Sequence, residues 1–116
     1  MDKSVYPDAL VVCQEPEYWA GREDLIVNPL LIVEVLSKST RKYDKGDKFL
    51  LYETLPSFME YVLIEQNEPH VEAWFQQSPN TWNKIKETDL TKSIFLRSLG
   101  VSVPLSDIYE DIVFKK

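Results

Sequence analysis

One cysteine, one histidine and three glycines set the first limits on this chain of 116 residues. With Cys13 alone, no disulfide can close within the chain and no cysteine-rich zinc site can be built. Cys13 lies in an apolar, strand-like run and is read as a buried structural thiol. The single histidine, His70, follows Pro69 at a turn and is read as an exposed loop residue rather than a general base. Ser37 and Ser39 therefore have no histidine partner nearby, which argues against a serine hydrolase. Gly21, Gly46 and Gly100 are too scattered to form a glycine-rich phosphate loop. No apolar run approaches the roughly 20 residues needed to span a bilayer. The opening Met1-Asp2-Lys3-Ser4 has no apolar signal core, so no membrane association is expected and the expected location is cytoplasmic. Positive charge is also scarce. Thirteen Lys and Arg face nineteen Asp and Glu, for a net charge of −6 and an isoelectric point near 4.8. Such a surface repels nucleic acid at long range and disfavours a tight, non-specific DNA binder. It leaves room for a nuclease, whose acidic centre is neutralised locally by metal ions.

Enough apolar material is present for a core. Hydrophobic residues make up 44% of the chain and aromatic ones 12%, which excludes a disordered class, and the length suits one domain over residues 1–116. Tyr6-Pro7-Asp8 leads into a short buried strand, 9–13, and an acidic, aromatic surface loop follows over 14–28. The run 30–36 is nearly all apolar, the pattern of a central strand covered on both faces. The hydroxyls of 37–40, or Asp44 later, offer caps to a helix expected over 43–55. Gly46 weakens that helix by about 1 kcal/mol relative to alanine. Strands are expected over 58–65 and 71–76, joined by a turn at 66–69, then over 81–87 and near 94–96. A short helix is expected over 105–112. The fold class is therefore α/β: a mixed sheet with one main helix and a C-terminal antiparallel meander. Helical cover looks too thin for both faces of the 30–36 strand. An open apolar face invites pairing, so a homodimer is expected, unless the 14–28 loop plugs the face with Tyr18 and Trp19.

Chemistry centres on Glu34, a carboxylate inside Leu30-Leu31-Ile32-Val33-Glu34-Val35-Leu36. Ionised carboxylates are seldom buried unless paired or bound to metal. Beside the Asp8 strand, Glu34 and Asp8 could converge on one cation, and hard oxygen ligands suit Mg²⁺ or Mn²⁺. Such an ion activates water and stabilises charge on a scissile phosphate. An ordinary ion pair between Glu34 and a Lys or Arg is an equal reading of the same pattern. Asp44, Lys48 and Tyr52 recur at i, i+4 and i+8 and share one helix face. That face either brings Lys48 to the metal or carries a solvated Asp–Lys pair. Trp19, Trp74 and Trp82 could stack on bases, although core packing is their commoner use.

These motifs together resemble a known pattern: Tyr6-Pro7-Asp8-Ala9-Leu10, Asn28-Pro29 before the Glu34 strand, Tyr43-Asp44-Lys45-Gly46-Asp47-Lys48, Tyr52, Pro56-Ser57-Phe58-Met59-Glu60-Tyr61 and Leu105-Ser106-Asp107-Ile108-Tyr109. The chain is similar to the Uma-two family of bacterial restriction endonucleases, within the PD-(D/E)XK nuclease superfamily. The resemblance implies a restriction-endonuclease-like core, DNA as substrate, and Mg²⁺ or Mn²⁺ as cofactor. It implies Asp8 and Glu34 as metal-binding catalytic acids, the Val35 carbonyl as a further metal ligand, and Lys48 as the catalytic lysine. Leu36 stands where the superfamily motif has its lysine, and Lys48 takes that part from the following helix. Family members carry a further region before the PD motif, so the chain corresponds to the C-terminal part of such a domain. A catalytically inactive remnant, serving as an oligomerising or protein-binding module, is the alternative expectation.

Overall fold

A computed structural model describes residues 8–12 and 28–110. The order is β1 (Ala9–Val11), β2 (Leu31–Leu36), α1 (Arg41–Lys45), α2 (Asp47–Glu53), β3 (Glu60–Glu65), β4 (Val71–Ser78), β5 (Thr81–Glu87), β6 (Ser93–Leu96), β7 (Val101–Pro104) and α3 (Leu105–Ile108). β1 to β5 form one sheet in sequence order, while β6 and β7 form a separate antiparallel pair. β2 and β3 run parallel, with α1 and α2 as their crossover; the other neighbours in the large sheet are antiparallel. The mixed sheet, the helical unit and the meander of β3, β4 and β5 match the α/β architecture expected from the sequence.

Alternation along β2 and β3 divides the core in two. Ile32, Leu36, Tyr61 and Leu63 face the helical unit and pack with Tyr52, Leu55, Phe58 and Trp74. Leu31 and Val62 face the other way, against Val71, Ala73, Ile94, Leu105 and Tyr109. The second face is thus covered by β6 and by α3 with Tyr109 at its end, cover that the sequence pattern does not announce. Val101-Ser102-Val103-Pro104 is too short and too weakly patterned to announce β7, which pairs with β6 on the side away from the sheet contacts that β6 makes. Cover stops short of the sheet margin, where Val11 is 37% and Val35 42% exposed.

The expected 43–55 helix is instead two short segments broken at Gly46. Its backbone leaves the helical region at φ −112°, ψ −99°. A Cβ there would lie 3.0 Å from the Lys42 carbonyl oxygen, so the break depends on glycine's missing side chain. Among aromatic residues, Phe49 contacts Tyr61, Trp74 and Trp82 at ring distances of 5.4, 5.1 and 5.0 Å. Trp74 and Trp82 are therefore engaged in packing and not set out for base stacking. Cys13, the 14–27 part of the acidic loop with Tyr18 and Trp19, and residues 111 and 112 of the expected last helix lie outside the described residues.

Candidate active site

Ala9 pairs with Val33 in the antiparallel register, so Asp8 comes opposite Glu34. Asp8 sits two residues before Leu10 and shares its face, the face of the helical unit. Its Oδ2 accepts the Val35 N–H at 2.7 Å. The Val35 carbonyl projects from the strand on the same side as that N–H, toward the Asp8 end of β1. Glu34, at 1% exposure, is held from the helix side by two donors. Lys48 Nζ donates to Oε2 at 2.9 Å, and the Tyr52 hydroxyl donates to Oε1 at 3.0 Å. Asp44 Oδ1 lies 3.7 Å from Lys48 Nζ. Asp44, Lys48 and Tyr52 therefore form one face, as their spacing implies. Asp44 is buried and the Lys48 side chain is 13% exposed, so the solvated surface-pair reading fails.

This environment works against the Glu34 charge. Burial is the largest influence and pushes its pKa up to about 7, against the opposing effects of Lys48 and Tyr52. The nearby Asp8 charge adds to the rise. Burial and the Glu34 charge likewise push the Tyr52 phenol well above its ordinary range, keeping it a donor. In metal-free protein, folded Glu34 then holds its proton to about pH 7 while the unfolded chain releases it near 4.5. Its contribution to stability is full at the acid end of that window and is lost as pH rises through it. Urea midpoints measured in EDTA should fall from pH 5 to pH 7.5, and Glu34→Gln should flatten that fall. A midpoint that rises equally in both proteins would refute the assignment.

The helical unit is fastened to three neighbouring strands by three cations. Lys48 meets Glu34 on β2, Arg41 meets Glu65 on β3, and Lys45 meets Glu72 on β4. Arg41 is bidentate, with Nε and Nη2 donating at 2.7 and 2.6 Å, and this holds the Glu65 carboxyl below its usual range. His70 is half-buried, not a free loop residue, with Nε2 3.0 Å from Glu72 Oε2. Ser37 and Ser39 hydrogen-bond each other at 3.1 Å, and Ser37 also meets the Thr40 hydroxyl at 2.9 Å. Glu60 was not singled out from sequence. It is fully buried and accepts bonds from Arg97 N, Ser98 N and Ser98 Oγ at 3.1, 2.9 and 2.6 Å.

The donor set fits a small divalent cation. Asp8, Glu34 and the Val35 carbonyl are all hard oxygens, and Mg²⁺ commonly binds through one or two carboxylates while keeping several waters. Asp8 Oδ1 has no hydrogen-bond partner among the described residues. Those residues contain no group of three His, Cys, Asp or Glu side chains placed for a closed cage, so only an open, partly hydrated site would suit them. No helix among them is long and apolar enough to cross a membrane.

Comparison with known proteins bears on the family and the fold. Residues 1–106 match the Uma2 family model, described as "Putative restriction endonuclease". Two uncharacterised Synechocystis sp. proteins are similar: one is 39% identical over 77 residues, covering 66% of this chain and 44% of the relative. The other is 31% identical over 108 residues, covering 93% of this chain and 55% of the relative. The chain thus spans about half the length of these curated relatives. A crystal structure described as "a putative nuclease belonging to DUF820" from Anabaena variabilis shares the fold, with a TM-score of 0.55 at 14% identity. That alignment covers 72% of this chain and 45% of the other. The family match across residues 1–106, on a fold shared with a nuclease-like structure, places this chain in the Uma-two (Uma2) family of restriction-endonuclease-like proteins.

Proposed function

We propose that this chain carries the catalytic centre of a metal-dependent DNA endonuclease. The observation behind the reading is a buried strand carboxylate, Glu34, opposite Asp8 and contacted by Lys48 at 2.9 Å. Asp8, Glu34 and the Val35 carbonyl would hold Mg²⁺ or Mn²⁺. When bound, that ion supplies a more acidic water and charge neutralisation for phosphodiester hydrolysis. Lys48 orients the attacking water or a phosphate oxygen, and Asp44 keeps the ammonium on the Glu34 side. Tyr52 fixes the second Glu34 oxygen, so the carboxylate presents one orientation to the site. Nicking of supercoiled plasmid in Mg²⁺ or Mn²⁺, abolished by EDTA, is the expected behaviour; cleavage that persists in EDTA would reject it.

A second reading rests on a specific observation: both Glu34 oxygens already have protein donors. Glu34 and Lys48 would then be a structural ion pair in a non-catalytic module. That module has no reason to bind Mn²⁺, so calorimetric titration with Mn²⁺ separates the two.

The homodimer inferred from the sequence keeps a narrower basis. Val11 and Val35 are exposed beside half-buried Val33 on the margin that β6, β7 and α3 leave open. Such a margin favours a self-complementary contact between two copies. Sedimentation equilibrium at micromolar concentration should return twice the 13.6 kDa chain mass. A single species at the chain mass would dismiss the dimer.

A further inference from the structure

The chain is acidic, but its charge is unevenly distributed. Five of its thirteen Lys and Arg fall within residues 38–48: Lys38, Arg41, Lys42, Lys45 and Lys48. Only Asp44 and Asp47 accompany them, and Asp44 is buried. Three of the five cations are committed to the sheet through Glu65, Glu72 and Glu34. Lys38 and Lys42 are different. Both are exposed, and neither has an ion-pair partner among the described residues. Lys42 lines an open cleft of about 390 Å³ together with Ser39, Tyr43, Gly46 and Asp47. The segment begins two residues after β2 ends at Leu36, four residues beyond Glu34, and includes Lys48 of the candidate site.

From this placement we infer that Lys38 and Lys42, with the cleft between Ser39 and Tyr43, form the surface that receives a DNA backbone phosphate flanking the scissile one. The inference rests on the nuclease reading above and adds to it the path of the substrate. An overall charge of −6 makes long-range attraction to DNA unfavourable, so binding requires a local basic surface. Residues 38–48 are the densest basic segment in the chain and follow the strand that carries Glu34. Lys38 and Lys42 can meet phosphate without first breaking an ion pair with any of the described residues. The Ser39 and Tyr43 hydroxyls are neutral donors suited to phosphate oxygens. Asp47 opposes the same ligand, which gives the site a charge that can be changed in the other direction.

Fluorescence anisotropy of a labelled 20-base-pair duplex, in EDTA to prevent cleavage, reads binding directly across a salt series. Each lysine lost from a phosphate contact lowers the slope of log K against log salt by about 0.9. Lys38→Gln/Lys42→Gln should therefore lower it by about 1.8 and weaken binding roughly tenfold or more at low salt. Asp47→Asn should tighten binding. Lys92→Gln/Arg97→Gln changes exposed cations on the β6 side, the opposite face, and should leave the slope unaltered. Thermal melts of each variant ensure that only folded protein is compared. If the wild type binds and the Lys38/Lys42 variant keeps the full slope, this surface is wrong while the nuclease reading stands. If the wild type binds no duplex at all, both fall together.

Discussion

Glu34→Ala should abolish metal-dependent plasmid nicking, with a loss of at least about a hundredfold, while the protein stays folded. Removal of a group that orients or stabilises the reacting centre commonly costs two or three orders of magnitude. The fold should survive for a reason visible in the packing. Glu34 is a buried carboxylate whose burial opposes its charge, so its removal also removes an unfavourable desolvation. What it leaves behind is Lys48, still within reach of Asp44 at 3.7 Å. Nicking rates and far-ultraviolet circular dichroism, measured on the same preparation, separate chemistry from folding. Retained nicking in the variant would move the catalytic centre elsewhere; loss of both signals would make Glu34 a structural group.

Glu60→Ala should have the opposite profile, a large loss of stability from a residue outside the candidate site. Its carboxylate, fully buried at the start of β3, collects two backbone N–H groups and one hydroxyl from the turn after β6. Bonds to a charged acceptor are worth about 1.5–3 kcal/mol each, and they do not add fully when they share one acceptor. A loss of about 3 kcal/mol is expected, with a melting temperature roughly 10 °C lower. Ser98→Ala removes only the 2.6 Å hydroxyl bond and should cost about 1 kcal/mol. Calorimetry that finds Glu60→Ala no worse than Ser98→Ala would remove Glu60 from this anchoring role.

Glu34 and Glu60 also mark the boundary of what the sequence reveals. A carboxylate in the middle of Leu30–Leu36 is conspicuous because every neighbour is apolar. Its partners Lys48 and Tyr52 follow at helical spacing, so that half of the site could be read locally. Glu60 opens a strand, where an exposed acid is ordinary, and its donors lie 37 and 38 residues later. The same holds for Glu65 with Arg41 and Glu72 with Lys45, separated by 24 and 27 residues. Periodicity reports which face a residue occupies, not what arrives opposite it from another element. The Gly46 break and β7 were missed for a related reason. One depends on a close backbone approach and the other on a short strand finding its partner.

The three cations that fasten the helical unit act on separate strands, and that arrangement has a mechanical consequence. A body held at one point can pivot and a body held at two can hinge, but three non-collinear supports fix its orientation. Lys48 is the most enclosed support, with a side chain 13% exposed, whereas Arg41 and Lys45 are 37% and 34% exposed. Ionic strength screens the two outer supports far more than the inner one. Added salt would therefore loosen the rotation of the helical unit before it alters the Lys48–Glu34 distance. The lysine's position is set by the scaffold on which it is mounted, and its reach survives conditions that let the rest of that scaffold rock.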